Sequence, residues 1–390
     1  MTTDAEVSIQ QTEACGRGQE LRSVRVLTVI APGPTGGAET VVRSLTSAMR
    51  AAGHPLTLAA CWCRGEQRPQ LVEQARSDGV EVREVVVPHR RYLAELDELR
   101  RAVREHEPDV VHTHGYRSDL LAGLAARLED VPVVSTVHGF TGGGVKNRLF
   151  ERLQVMAYRS FDRVVAVSVP LSRTLEARGV SEEKIDVIPN AWTGEAELRT
   201  RAESRRELGL PDGEPVLGWV GRVSEEKGLD VAVRALSRLQ SARLAVIGDG
   251  PETEAVKRLA SGLGVAERVH WCGRVPEAAP LFPAFDLFVL SSRTEGTPMA
   301  VFESMAAGVP VVAARVGGVP EQIDEETGYP VPPEDPGAVA GAVEAALADP
   351  GEARRRAAAA RSRLETRFGP EAWVDAYSKV YREAMGGGGR

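Results

Sequence analysis

The chain has 390 residues, 43% apolar and 26% charged, an ordinary globular composition with material for about two domains. Its formal net charge of -7 argues against a nucleic-acid partner, whose binding surface is normally basic. No run of about 18 apolar residues is present, so no transmembrane segment is expected. The polar stretch 1–22 lacks the apolar centre of a signal peptide and reads as a disordered leader; a cytoplasmic protein is expected, with peripheral membrane contact left open.

The cysteines are Cys15, Cys61, Cys63 and Cys272. Cys61-Trp62-Cys63 has the wrong spacing for zinc and no second pair. Val24 to Ile30 reads as a first buried strand. It leads through Gly36-Gly37-Ala38-Glu39 into a helix reaching about Ala52, and glycine at such a turn lets backbone approach a ligand. Leu56 to Trp62 and Val82 to Val87 read as strands. Tyr92 to His106 reads as a helix with Leu93, Leu96, Leu99 and Val103 on its apolar face. Asp109 to Gly115 and Val133 to Gly139 are strands carrying His112, His114 and His138 at their carboxyl ends, where open α/β sheets bind ligands. Three histidines there suit a metal on paper, but strand-end histidines more often bond loops. Thr141 to Lys146 is a candidate acceptor lid. A strand at Arg163 to Ser168, a helix at Pro170 to Arg178 and a strand at Ile185 to Asn190 complete a first half.

Gly194 to Gly209 reads as a connection plus a first helix. A second series of alternating strands and helices starts at Val216. Arg222 and Lys227 stand on its first strand-end loop, ahead of a helix from Leu229, a natural place for cations that meet phosphates. Strands follow at Leu244, Val269, Leu287 and Val311. Gly248-Asp249-Gly250-Pro251 lacks the third glycine of a dinucleotide fingerprint. Ala338 to Leu347 and Ala353 to Thr366 read as helices, and Trp373, Tyr377, Val380 and Tyr381 mark the apolar face of a last one. Two α/β domains, each with a doubly wound Rossmann-like sheet, are therefore expected, facing each other across a cleft: 23–194 and 195–370, with 371–385 as a closing helix.

The densest chemistry lies after Leu287-Phe288-Val289-Leu290. Thr297 is expected as N-cap and Pro298 as first residue of a largely apolar helix that stops at Gly308. Glu303 sits in that helix and Glu295 in the loop before it, with seven residues between them. Eight helical steps reach roughly 12 Å, enough to set two carboxylates at opposite ends of a nucleotide sugar. The helix N-terminus between them would favour a pyrophosphate. The plainer alternative is a solvated Glu295 and a Glu303 bonded to neighbouring backbone.

Taken together, these stretches resemble glycosyltransferase family 4, retaining enzymes of the GT-B fold, from about Val24 to Tyr381. The most specific piece is Glu295-Gly296-Thr297-Pro298-Met299-Ala300-Val301-Phe302-Glu303. The supporting pieces are Gly36-Gly37-Ala38-Glu39, His114-Gly115, Val137-His138-Gly139, Val187-Ile188-Pro189-Asn190, Gly221-Arg222 through Lys227-Gly228, and Gly248-Asp249-Gly250-Pro251. The resemblance implies a nucleotide-sugar donor, most commonly UDP-linked, and no metal or other cofactor. It implies that Arg222 and Lys227 hold the diphosphate and that Glu303 accepts from the ribose. Glu295 would bind the transferred sugar with N–H groups around Gly296, Thr297, Pro298 and Met299. Gly37 would admit sugar and phosphate, His138 would touch the sugar, and backbone at Arg274 and Val275 would meet the base. The acceptor, whether glycan, lipid-linked or a small molecule, is not legible. A nucleotide-sugar 2-epimerase and a catalytically silent partner subunit are the alternatives; the presence of Glu295, Glu303, Arg222 and Lys227 speaks against the second.

Overall fold

The computed structural model describes residues 23–33, 37–140, 145–194 and 197–386, and of 145–148 the backbone alone. Two sheets organise the chain. The first contains β1 (Val26–Ile30), β2 (Leu56–Cys63), β3 (Glu81–Val87), β4 (Val110–His114), β5 (Val133–Val137), β6 (Arg163–Ala166) and β7 (Ile185–Val187) in the order β3-β2-β1-β4-β5-β6-β7. The second contains β8 (Val216–Val220), β9 (Arg243–Ile247), β10 (Val269–Gly273), β11 (Leu287–Leu290), β12 (Val311–Ala314) and β13 (Tyr329–Val331) in the order β10-β9-β8-β11-β12-β13. All pairings are parallel. Parallel strands need crossover helices, which cover both faces and bury whole strands; β1, β4, β5, β11 and β12 are accordingly buried at every residue.

Each order reverses direction once, between β1 and β4 and between β8 and β11. At such a switch point the outgoing loops diverge to opposite faces and leave a crevice beyond the carboxyl ends. The loops after β8 and β11 carry Arg222, Lys227 and Glu295. The start of the helix after β1 and the end of β4 carry Gly37 and His114.

One apolar cluster runs from the helix Gly37–Ala51 of the first half, through Phe282 and Phe302 of the second, to Trp373, Tyr377 and Tyr381 of the last helix, Pro370–Gly386. Tyr377 and Tyr381 are fully buried. Their hydroxyls meet Thr136 Oγ1 at 3.0 Å and His112 Nδ1 at 2.9 Å, while Ser378 bonds His54 and Glu383 pairs with Arg163 at 3.0 Å. The last helix thus packs back on the first sheet.

Several expectations are corrected. Pro298 (φ -68°, ψ 122°) is the N-cap of the helix Met299–Ala306, not its first residue. Thr297 is freed from capping because its hydroxyl donates to the carbonyl of Val167 in the other half. Leu93 is 80% exposed. The buried stripe of its helix holds Glu95, Leu99, Ala102 and Val103 instead, and Glu95 is buried because Arg117 meets its carboxylate at 2.6 Å. The helices Gln70–Ser77, Tyr116–Leu128 and Thr253–Gly262 and strand β13 escaped sequence reading. Of the acceptor-lid stretch, residues 141–144 lie outside those described, while Val145 and Lys146 open the helix Val145–Ser160.

Candidate active site

The loop after β8 folds into a short 3-10 turn, Glu225–Lys227, closed by Gly228 at φ 61°. Ser291, just after β11, donates its hydroxyl to the carbonyl of Gly228 at 2.7 Å. Arg293 clamps the same turn, reaching the carbonyl of Glu225 at 2.7 Å and both carboxylate oxygens of Asp230 at 2.9 Å. With the two loops locked together, Lys227 Nζ lies 2.8 Å from each carboxylate oxygen of Glu295. Ser292 donates to Glu295 Oε1 at 2.7 Å. The Glu295 side chain is only 5% exposed and that of Lys227 31%, so the cation is the more hydrated partner. Arg222 extends outward, 55% exposed, and pairs with Glu226. Two cations therefore stand on the one strand-end loop, each resting on a carboxylate.

The helix Met299–Ala306 starts directly behind Glu295, and its N-cap makes no side-chain bond, so the first backbone N–H groups receive no cap from that residue. Glu303 is half-buried, and its carboxyl has no hydrogen-bond or ion-pair partner among the described residues; desolvation pushes that carboxyl up to about 7. The expected neighbouring backbone donor is not what holds it. On the flank, Arg274 lies 3.7 Å from Asp249, and Val275 packs partly buried against the core. Asp249 Oδ1 accepts from Gly250 N at 2.8 Å and from the Thr253 hydroxyl at 2.9 Å, fixing the loop after β9. Gly248, at φ 137°, leaves no room for a side chain: a Cβ would sit 1.8 Å from the Gly221 carbonyl.

Across the cleft, Gly296 lies against His138, where an added Cβ would come within 2.4 Å of the His138 carbonyl. Thr297 is held from both sides: its hydroxyl donates to Val167, and its carbonyl accepts from Asn190 Nδ2 at 2.9 Å. Glu321 accepts from the Val169 N–H at 3.0 Å. These contacts fix the Glu295–Met299 loop against the first half. Gly37 opens its helix, is exposed, and has open space where a Cβ would stand.

The three histidines form a packed stack rather than a metal triad. His112 uses both nitrogens, on Thr136 Oγ1 at 2.8 Å and on Tyr381. His114 Nδ1 meets His138 Nε2 at 3.0 Å. Burial pushes His138 down to about 4 and, aided by repulsion from His138, His112 to about 3; His114 lies well below the ordinary value for the same reason, with repulsion from both neighbours added. All three rings are neutral near pH 7. Among the described residues, the one group of three that brings ligand-type atoms within 4.8 Å of one another is not the histidines but Cys63, Glu66 and His89. There Arg117 Nη1 stands 3.9 Å from the Cys63 sulfur, and a fixed guanidinium beside the thiol opposes a second cation.

Sequence reading gave Ser292 and Glu226 no place in this arrangement, and it singled out His114 and Asn190 at strand ends without assigning them a partner. Each carried a signal, a polar residue at the end of an apolar strand or one turn from a predicted cation, but its partner is distant in the chain.

Residues 35–192 match the family model described as Glycosyltransferase Family 4, and residues 214–349 match that described as Glycosyl transferases group 1. The 2-deoxystreptamine N-acetyl-D-glucosaminyltransferase of Streptomyces fradiae is 34% identical over 319 residues, 75% of this chain and 75% of that protein. The D-inositol 3-phosphate glycosyltransferase of Acidothermus cellulolyticus is 31% identical over 401 residues, covering 90% of this chain and 87% of its own. In fold, the crystal structure of Anabaena HepE in complex with UDP-glucose superposes with a TM-score of 0.82 at 19% identity, over 92% of this chain and 99% of that one. No helix among the described residues is long and apolar enough to cross a membrane. With the GT-B pair of Rossmann-like domains, the crevice of paired charges at its switch point and these relatives together, the chain belongs to glycosyltransferase family 4 and is a nucleotide-sugar-dependent glycosyltransferase.

Proposed function

We propose that this enzyme transfers a sugar, with retention at the anomeric carbon, from a UDP-linked donor to a hydroxyl of a small polyhydroxylated acceptor. The observation that carries the donor side is the Lys227–Glu295 pair, bridged at 2.8 Å on both oxygens beside the start of the helix Met299–Ala306. A diphosphate arriving at that helix end takes Lys227 and Arg222 as counter-ions. Glu295, released from Lys227 and still held by Ser292, turns its acceptors to the sugar hydroxyls. Glu303, further along the helix, accepts from the ribose, and Gly37, His138 and the backbone of Arg274 and Val275 complete the contacts to sugar, phosphate and base.

In this reading the residues stabilise charge rather than form a covalent intermediate. As the bond from the anomeric carbon to the phosphate oxygen breaks, negative charge grows on the diphosphate beside Arg222 and Lys227. Positive charge grows on the sugar ring near Glu295. Preorganised charges of this kind act where charge develops. The acceptor hydroxyl attacks from the face the phosphate leaves, and that phosphate oxygen is the base nearest to its proton. The two relatives bear the names of 2-deoxystreptamine and D-inositol 3-phosphate transferases, which makes cyclitols the first acceptors to try; conversion of donor without acceptor, as an epimerase would do, is not favoured by these relatives.

The test is a transfer screen of UDP-, GDP-, ADP- and dTDP-sugars against cyclitols, glycans and lipid-linked acceptors, with the product anomer read by NMR. A UDP-sugar and a cyclitol giving the donor's anomeric configuration is the expected result. An inverted anomer would refute retention, and turnover confined to another nucleotide would refute the UDP assignment.

A further inference from the structure

The strand β4 alternates its side chains, so His112 and His114 share one face while Thr113 points to the other. On that face the rings stack in sequence, His112 to His114 at 4.2 Å between centroids and His114 to His138 at 5.3 Å. His112 and His114 are buried, whereas His138 is half-buried beside Gly296. The back of the stack is fixed by the last helix, through Tyr381 on His112 and through Tyr377 on Thr136, which itself bonds His112.

Neutral imidazole carries one N–H, and the hydrogen bond at one nitrogen decides where the proton sits. The 3.0 Å contact between His114 Nδ1 and His138 Nε2 holds one proton. If His138 supplied it, His114 would carry its own proton on Nε2, a buried atom with no partner among the described residues. A buried N–H without an acceptor is the rarer and costlier orphan. If His114 supplies the proton, its Nε2 is left as an unpaired acceptor, and the unpartnered N–H moves from a buried atom of His114 to half-buried His138. His138 then has its proton on Nδ1, which has no partner among the described residues.

We propose that His114 is a positioning residue: it donates from Nδ1 to Nε2 of His138 and so fixes His138 as the Nδ1–H tautomer, which offers a hydrogen-bond donor to an oxygen of the transferred sugar. This rests on the reading that His138 meets that sugar. His114 itself stays behind the site and touches no substrate.

The full-length enzyme labelled with 15N-histidine, with His138 assigned from the His138→Phe spectrum, reports the tautomer by two-bond nitrogen–proton correlations. The expected result is Nδ1–H on His138 in the wild type and loss of that form in His114→Phe, which keeps ring volume without the donor. In the same variant kcat with the nucleotide sugar falls about fivefold to tenfold, the size of one neutral hydrogen bond. The Kd for UDP, which has no sugar to contact His138, stays at the wild-type value. An Nε2–H form in the wild type, or an unchanged Nδ1–H form in His114→Phe, overturns the assignment; should that variant not fold, the wild-type spectrum decides alone. Wild-type kcat/KM in His138→Phe would instead remove the sugar contact while leaving the tautomer result standing.

Discussion

Replacing Glu295 by Gln should tighten the binding of UDP while slowing sugar transfer. In the free enzyme Lys227 is engaged by both Glu295 oxygens at 2.8 Å, and a diphosphate must compete for it. Two unit charges this close attract by several kcal/mol at an effective dielectric near 20. Because Lys227 is 31% exposed, hydration and side-chain entropy return most of that, leaving about 1 kcal/mol net. Glu295→Gln releases this and also removes a negative charge near the diphosphate, so the UDP Kd should fall about fivefold. Transfer loses the carboxylate near the reacting sugar, so kcat should fall more than the donor KM rises. The converse change is not symmetrical. Lys227→Met leaves a carboxylate only 5% exposed with Ser292 as its remaining donor. Stranding a fully buried charge costs 3–5 kcal/mol. Water entering where Lys227 stood reduces this to about 2 kcal/mol, or roughly 4–8 °C in the melt of a domain this size. Calorimetric titration with UDP and thermal melts of both variants measure these effects. An unchanged or weaker UDP Kd in Glu295→Gln would refute the competition, and a wild-type melt in Lys227→Met would refute the stranded charge.

Arg222→Ala should lower kcat/KM by about 2–4 kcal/mol of transition-state stabilisation, as for other charged donors at a developing anion, with little change in the melt because the side chain is 55% exposed; kinetics near wild type would sink its diphosphate role. Glu303 has a folded-state value of about 7 against an ordinary 4.5, so its contribution to stability is full below pH 4.5 and is lost as pH rises to about 7, on the order of 3 kcal/mol in all. Glu303→Gln has no charge to bury: its melt should meet the wild type's near pH 4.5 and exceed it at pH 8, while its donor KM rises with kcat little changed. Parallel melts across that range, or an unaffected KM, would speak against the two halves of this statement separately. Transfer should persist in excess chelator, since Arg222 and Lys227 supply the cations a diphosphate needs; activity abolished by chelation and restored by a divalent ion would contradict that.

Much of this fold could be read in the sequence because parallel sheets announce themselves. Strands β11 and β12 have the residue bounds that their apolar runs imply, since burial on both faces leaves no polar positions to blur the ends. The last helix was legible for a related reason, as Trp373, Tyr377 and Tyr381 repeat at helical spacing and all three are buried. Leu93 misled because periodicity assumes that apolar side chains face the core. Here the core-facing place belongs to Glu95, which is admitted by Arg117 from a helix 22 residues onward, and no local pattern contains that partner. Strand β13, three residues long, has too short a run to show a period.

The candidate site divides along the same line. Glu295, Lys227, Arg222 and Glu303 stand out because charge at a strand end or inside an apolar helix is locally anomalous. Their partners are invisible, because Lys227 finds Glu295 across 68 residues and Asn190 finds Thr297 across 107. Thr297 shows the consequence. By local rules it is a helix cap; in the folded chain its hydroxyl is taken by Val167, 130 residues earlier, and Pro298 becomes the cap. The loop that carries Glu295 is therefore held by the first half as well as by its own helix. Any rotation of one half against the other must break the Thr297 bonds and move Gly296 off His138. The groups proposed to meet the donor and those that join the domains are thus consecutive residues, and a change in the angle between the halves changes where Glu295 stands.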